Sequence, residues 1–258
     1  MLFNKKETLF ILILIIFSFS INLISGNRGV FPMDTFAFFD TGYRVLNGEH
    51  PFKDFWAVSG PFIDYTQAII FYLFGVSWKS YLINSSFLNS IVVVTSFILF
   101  KKLGANDYLN LFICLCISVL AYPNSGTPFV DHHSAYLSLI GVYLFCFSIL
   151  KNRISFWFLI PIIISFSFFS KQIPASFIAI ALILSFIHHI LFNKKNNKEI
   201  LSTVIFSVLF CVLFYLFILK TFNIDFNLFF KQYFLYPLSI GEGRISMISF
   251  DLRKIFFE

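Results

Sequence analysis

Long apolar runs alternate with short polar segments along most of the chain. Seven of these runs approach the length of about 20 residues that a helix needs to cross a bilayer. They are Thr8–Ser25, Asn84–Phe100, Tyr108–Tyr122, Ser134–Leu150, Ile154–Phe169, Ile173–Phe192 and Glu199–Leu219. The pattern predicts an all-α polytopic membrane protein with about seven transmembrane helices. A signal peptide is the alternative for the first run, but no small-x-small cleavage site follows it, so a retained helix is favoured.

The composition supports a membrane protein. Of the 258 residues, 58% are hydrophobic and 12% are charged, against roughly 25% charged residues in a soluble domain. This excludes an ordinary soluble enzyme, and the 21% of aromatic residues excludes a disordered chain. The net charge of +6 reflects lysines between the predicted helices and does not indicate nucleic-acid binding. Four cysteines lie within apolar runs, where we expect them to pack as small apolar residues: Cys114, Cys116, Cys146 and Cys211.

Basic residues predict the orientation. Four short basic segments fall on one side of the predicted helices. They contain Lys5 and Lys6, Lys101 and Lys102, Lys151 and Arg153, and Lys194, Lys195 and Lys198. The positive-inside rule makes that side cytoplasmic. The N-terminus is then cytoplasmic, and the connections at 26–83, 123–133 and 170–172 are external, as is the tail from residue 220.

The first external loop, 26–83, is long and rich in aromatic residues. Its first part, Asp34–Leu46, carries Phe36, Phe39, Tyr43 and Leu46 at helical spacing and is followed by Asn47–Gly48, a helix stop. Its second apolar part, Pro61–Phe74, is too short to span comfortably and is followed by Gly75. We expect both parts to form helices at the membrane interface, where aromatic residues are enriched.

The candidate functional residues are the ionisable ones on the external side, and each has an alternative interpretation. Asp34 is either a reactive carboxylate or only a helix N-cap. Asp131–His132–His133 is either a site for a divalent metal, held by Asp131 and His132, or a helix cap with interfacial histidines. Lys171, between two apolar runs, either has a functional role or extends its amine to the lipid headgroups.

The first external loop resembles that of GT-C membrane glycosyltransferases. The shared outline is an acidic residue that opens a membrane-parallel helix, a turn, a Gly-Pro helix start and a Phe-Gly pair before the next span. In this chain they are Asp34, Gly48-Glu-His-Pro-Phe-Lys-Asp-Phe55, Gly60-Pro61 and Phe74-Gly75. Seven leading spans also resemble the shared membrane module of that superfamily, so the likeness covers most of the chain.

The resemblance implies roles for the matched residues. Asp34 would be the catalytic carboxylate that engages the acceptor hydroxyl; Thr35 stands where many relatives have a second acid. Lys171 matches a basic residue that is suited to binding the phosphate of the lipid donor. We expect the donor phosphate site to include Gln172, Arg28 and Arg44 as well. Supporting roles fall to Asp54, Asp131, His132 and His133. No cofactor is certain, and a divalent metal at Asp131 and His132 is one expectation.

The resemblance predicts a glycosyltransferase in a bacterial-type inner membrane. Its donor would be a polyprenyl-phosphate sugar, and its acceptor would be an external glycolipid, polysaccharide or protein. The transfer would invert the anomeric centre. The protein would contact membrane lipids, and no nucleic acid is expected as a partner. Residues 1–219 would form the membrane module, and 220–258 an external tail that leads into a further span. The alternatives are a transporter or flippase of lipid-linked sugars and a non-catalytic membrane scaffold.

Overall fold

The computed structural model describes residues 4–28, 35–151, 153–192 and 196–246. Helices dominate these residues, and they contain no β-sheet. The α-helices are α1 (Lys5–Gly26), α2 (Thr35–Leu46), α3 (Pro61–Phe74), α4 (Trp78–Lys102), α5 (Asp107–Leu120), α6 (Val130–Lys151), α7 (Ile154–Ser170), α8 (Gln172–Phe192), α9 (Asn197–Thr221), α10 (Phe226–Phe230) and α11 (Tyr236–Ser246). A 3-10 turn (Tyr122–Asn124) follows α5, and a π turn (Lys231–Leu235) joins α10 to α11.

The predicted fold class is confirmed: this is an all-α, polytopic, integral membrane protein. Six of the seven apolar runs lie wholly in α1, α4 and α6 to α9, and the run 108–122 extends two residues beyond the end of α5. Six of the described helical segments are long and apolar enough to cross a membrane. Because α7 has 17 residues and is shorter than those six, seven remains a predicted number of spans.

The two helices predicted in the first loop are α2 and α3. Phe38, Gly42 and Val45 face the protein, whereas Phe36 and Tyr43 are exposed. The helix α2 packs closely on α3: a Cβ atom on Gly42 would lie 2.7 Å from Cγ of Gln67. Residue spacing therefore identified the helix but not the side that meets its neighbour. The location of α2 and α3 at a membrane interface stays a prediction.

Buried amide side chains join α1, α4 and α5. Asn22 donates to the hydroxyls of Ser85 and Ser86, and Asn89 donates to the carbonyls of Ser18 and Ser118. Polar contacts of this kind hold transmembrane helices together because lipid offers no hydrogen-bond partners. They fix the first half of the bundle.

One end of the bundle, here named the loop end, gathers the 47–60 loop, the N-terminus of α6 and the 170–172 turn. At the opposite end Asp107 binds both Lys6 and Lys101, and Lys101 also lies 3.4 Å from Glu7. These ion pairs link the ends of α1, α4 and α5. Asp131 and Lys171, two charged residues that the sequence predicts to be functional, lie at the loop end.

Candidate functional site

An ion pair between Asp131 and Lys171 lies at the loop end. The Lys171 Nζ atom is 2.6 Å from the Asp131 Oδ1 atom, and the two side chains are 35% and 48% exposed. Asp131 is in the first turn of α6, and Lys171 follows the last residue of α7. The sequence pointed to both residues separately; the structure brings them together.

Small polar residues position Lys171. Ser134 donates its hydroxyl hydrogen to the Lys171 carbonyl at 3.0 Å, and the Ser167 hydroxyl donates to the Ser134 carbonyl at 2.6 Å. Both serines are fully buried, and their small side chains let α6 and α7 approach closely. Lys171 itself has an extended backbone (φ −158°) between α7 and α8. Its amine therefore projects from a fixed turn.

The 47–60 loop is fastened to this turn by two glutamines. Gln172 Nε2 donates to the carbonyls of Val58 and Tyr233, both at 2.8 Å. Gln232 accepts from the Ala57 amide at 2.9 Å and donates to the Phe52 carbonyl at 3.1 Å. Because both amide hydrogens of Gln172 are used in the protein, its contribution is to hold the loop.

The π turn explains how the tail reaches the loop. Gln232 and Tyr233 are adjacent, yet both are buried against the bundle. The Tyr233 hydroxyl donates to the Phe168 carbonyl at 2.5 Å. A π turn changes the direction in which successive side chains point, and such turns are frequent at functional sites. The described part of the tail thus contributes directly to the loop end.

We expect Gln232→Leu to loosen the loop. The change leaves the Ala57 N–H and the Phe52 carbonyl without partners, at about 1–3 kcal/mol for each buried group. Hydrogen exchange of the amides at 52–60 should accelerate in the variant in detergent or nanodiscs. The control is Asn227→Leu, a substitution of an exposed residue on the same tail. Unchanged loop exchange in Gln232→Leu would contradict the fastening role.

Arg44 and Asp54 organise the loop itself. The Arg44 side chain is 2.6 Å from the Glu49 carboxylate and lies 4.6 Å above the Phe55 ring. The Asp54 carboxylate accepts from the His50 amide at 2.8 Å, closing the turn. Arg44 therefore has an anionic partner already, and Asp54 has the structural role that the turn motif allows.

Arg28 and Asp34 are the two remaining candidates, and the structure describes the first of them. Arg28 follows α1 and is exposed; its side chain has no ion pair or hydrogen bond with the described residues. The predicted catalytic residue, Asp34, lies outside the described residues, directly before the first residue of α2. Its role stays a prediction.

The two adjacent histidines of α6 point to different partners. His133 is buried between the Tyr122 hydroxyl and the Asn84 side chain, whose oxygen is 3.2 Å from His133 Nε2. His132 stacks on Tyr136 with ring centroids 5.9 Å apart. Within residues 4–28, 35–151, 153–192 and 196–246, no three His, Cys, Asp or Glu side chains form a group that could hold a metal. A metal at Asp131 and His132 stays a sequence-based expectation.

An apolar cavity of about 620 Å³ lies between α7, α8, α9 and α10. Its lining is mainly aliphatic and aromatic, with Ser165 and Cys211 among its residues. Phe169, two residues before Lys171, lines it near the loop end, and Trp157 lines it near the other end of α7. Twelve helical residues separate these two, which corresponds to about 18 Å along the helix. The cavity has the shape and chemistry of a site for a long hydrocarbon chain.

Sequence analysis did not select Asp64, yet this carboxyl group is buried at the start of α3. It is 1% exposed, and the Thr41 hydroxyl of α2 lies 2.5 Å from its Oδ1 atom. Burial raises the pKa of Asp64 to about 7, and the Thr41 hydrogen bond offsets only part of this rise. The available signal was a lone charge among the apolar residues that follow Pro61.

The fold is shared with a known membrane enzyme. The structure of the S. cerevisiae protein O-mannosyltransferase Pmt1–Pmt2 complex bound to the sugar donor matches with a TM-score of 0.67 at 19% sequence identity. The match covers 88% of this chain and 35% of that chain, so the present chain spans about a third of its length. No family model and no curated protein sequence matches the chain. The likeness supports the fold that the loop motifs predicted.

Proposed function

We propose that the protein is a glycosyltransferase of the GT-C type that moves a sugar from a polyprenyl-phosphate donor to an acceptor outside the membrane. The observation that carries the proposal is a cation, Lys171, two residues after Phe169, which lines a long apolar cavity. A polyprenyl-phosphate sugar has the matching order of groups: a hydrocarbon chain, then a phosphate, then the sugar. A neighbour with the same fold was solved with a sugar donor.

The proposed reaction uses few groups. The acceptor hydroxyl attacks the anomeric carbon, and the bond from that carbon to the phosphate oxygen breaks. Asp34 takes the acceptor proton as general base, and polyprenyl phosphate leaves with the electron pair of the broken bond. Lys171, and Arg28 where it reaches the donor, stabilise the negative charge on the leaving phosphate. Direct displacement inverts the anomeric centre.

The test is transfer from a panel of radiolabelled polyprenyl-phosphate sugars in membranes that contain the protein. Control membranes from the same host lack it. Label that reaches an acceptor only when the protein is present supports the proposal. Movement of an intact lipid-linked sugar across the bilayer without transfer would favour a transporter instead.

The cavity can be tested separately from the chemistry. Ala179 lines the cavity from α8, whereas Ala181 is exposed on the same helix and does not line it. We expect Ala179→Trp to weaken donor binding because it excludes part of the chain. Excluding two methylene groups costs about 1.6 kcal/mol at about 0.8 kcal/mol each, which is more than tenfold in affinity. The measurement is the KM for the donor.

Ala181→Trp is the matched control for this experiment. It adds the same volume to α8 on the exposed side, so its KM should stay close to that of the wild type. Equal KM values for both variants and the wild type would show that the hydrocarbon chain of the donor does not occupy this cavity.

A further inference from the structure

Asp64 belongs to a hydrogen-bonded chain that joins α3 to α2. Its Oδ1 atom is 2.5 Å from the Thr41 Oγ1 atom, which lies 2.9 Å from the Ala37 carbonyl. Among the described residues Thr41 is the hydrogen-bond partner of this carboxyl group. The carboxyl group is almost fully buried, and no described lysine or arginine pairs with it.

Burial without a cationic partner among the described residues favours a neutral acid at Asp64. The Thr41 hydroxyl has one hydrogen and faces two acceptors, the Asp64 carboxyl and the Ala37 carbonyl. If Asp64 is protonated, its O–H donates to Thr41, and Thr41 donates to Ala37. If Asp64 is ionised, Thr41 gives its one hydrogen to the carboxylate, and a negative charge with no cationic partner among the described residues stays buried, which is costly.

The surroundings of Asp64 contain little to balance a negative charge. The titratable groups on which a negative charge at Asp64 would act are the phenols of Tyr65, Tyr81 and Tyr233, and none of them is a cation. On α2, Arg44 is bound to Glu49 and Asp40 is exposed. The helix α7 carries no titratable side chain, and on α4 the described lysines are Lys79, which is exposed, and Lys101 and Lys102 at the opposite end.

We propose that protonated Asp64 is a latch that fastens α2 to α3 through Thr41, and that loss of this proton releases α2. Gly42, one residue after Thr41, lets α2 approach α3 closely, so the latch lies beside a tight contact between the two helices. Asp34 directly precedes α2. Asp64 is therefore a positioning residue for the reaction, and this last step rests on the proposed function.

The sign of the pH dependence follows from linkage. The pKa of Asp64 is raised from 3.8 to about 7 in the folded protein, so the latched state holds a proton that the released state gives up. Latching is strongest below the pKa of the released carboxyl group and is lost as the pH rises through about 7. The latching equilibrium should fall about tenfold for each pH unit between the two pKa values.

The experiment is hydrogen exchange of the α2 amides in nanodiscs at about pH 5 and about pH 7, corrected for intrinsic exchange. Wild-type α2 should lose at least about tenfold in protection over this interval. In Asp64→Asn, whose amide donates to Thr41 at every pH, protection should stay constant. Equal pH dependence in wild type and Asp64→Asn would overturn the proposal.

Gly42→Ala is the control for a merely structural effect. It separates α2 from α3 without touching the titrating group, so it should lower protection at both pH values and keep the wild-type pH dependence. A difference infrared spectrum gives a second measurement on the wild type. The carbonyl band of a protonated carboxylic acid should be present at about pH 5 and absent in Asp64→Asn; a spectrum without this band contradicts the proposal.

These measurements need no substrate, so they test the latch even if the proposed transfer reaction is wrong. Where transfer is observed, the wild type should lose activity as the pH rises through about 7 relative to Asp64→Asn. A latch that responds to pH without any change in relative activity would separate Asp64 from catalysis.

Discussion

Asp34→Asn is expected to lower sugar transfer by about 10²–10⁴-fold, the usual contribution of a positioned general base. The amide has nearly the shape of the carboxylate and can still accept a hydrogen bond as a helix cap. It cannot accept the proton of the acceptor hydroxyl. The substitution therefore separates a chemical role from a structural one. The measurement is the transfer rate in membranes that contain equal amounts of each variant.

Asp40→Asn is the matched control. Asp40 lies on α2 and is exposed, so the substitution removes the same charge close to the same helix start. Its transfer rate should stay within a few-fold of the wild type. Equal rates for wild type and Asp34→Asn would keep the enzyme but exclude Asp34 as its base. Equal losses in both variants would indicate a general effect of charge near α2.

The helices could be predicted because a bilayer demands long apolar runs, but their ends required structural information. Hydropathy began the second span at Asn84, whereas α4 begins at Trp78. The missed turn contains Ser80, which is buried and bonds to the Gly75 carbonyl at 2.5 Å. Polar residues that face neighbouring helices lower the hydropathy of a span without ending it. The opposite error occurred at Tyr122, an apolar residue beyond the end of α5.

Individual residues of the candidate site could be predicted from the sequence, but the contacts between them could not. Asp131 and Lys171 were selected as charges at the predicted external ends of spans, because charges at such positions are costly to desolvate and are often functional. Their contact depends on how α6 packs on α7, and no local pattern encodes this. Gln232 was missed for a related reason: its two bonds to the loop depend on a π turn. Asp64 was not selected because its burial depends on how α2 packs on α3.

Lys171→Met is expected to reduce transfer by about 10²–10³-fold, the scale of losing one preorganised group that stabilises developing charge. Methionine has a similar length and no charge. The proposed site then lacks its fixed cation at the point where the leaving phosphate gains negative charge. The expected loss is in kcat, since the charge on the bridging oxygen grows as the bond breaks.

The partner of Lys171 provides the discriminating comparison. The Asp131–Lys171 pair is partly exposed, so as a purely structural contact it contributes only about 0–1 kcal/mol. Asp131→Asn removes the carboxylate charge but leaves the lysine in place, and it should reduce transfer by less than about tenfold. Were the pair only a helix fastener, the two single variants would lose the same small amount.

The double variant distinguishes a catalytic from a structural role of the ion pair. If Lys171 stabilises the leaving phosphate, Asp131→Asn combined with Lys171→Met should be as slow as Lys171→Met alone. If the charges serve only each other, removing both should restore much of the activity that either single substitution loses, because no unpaired charge is left behind. The exchanged pair, Asp131→Lys with Lys171→Asp, separates the two roles further. It preserves an ion pair between α6 and α7 but moves the cation to α6, so transfer should recover only if the pair is structural.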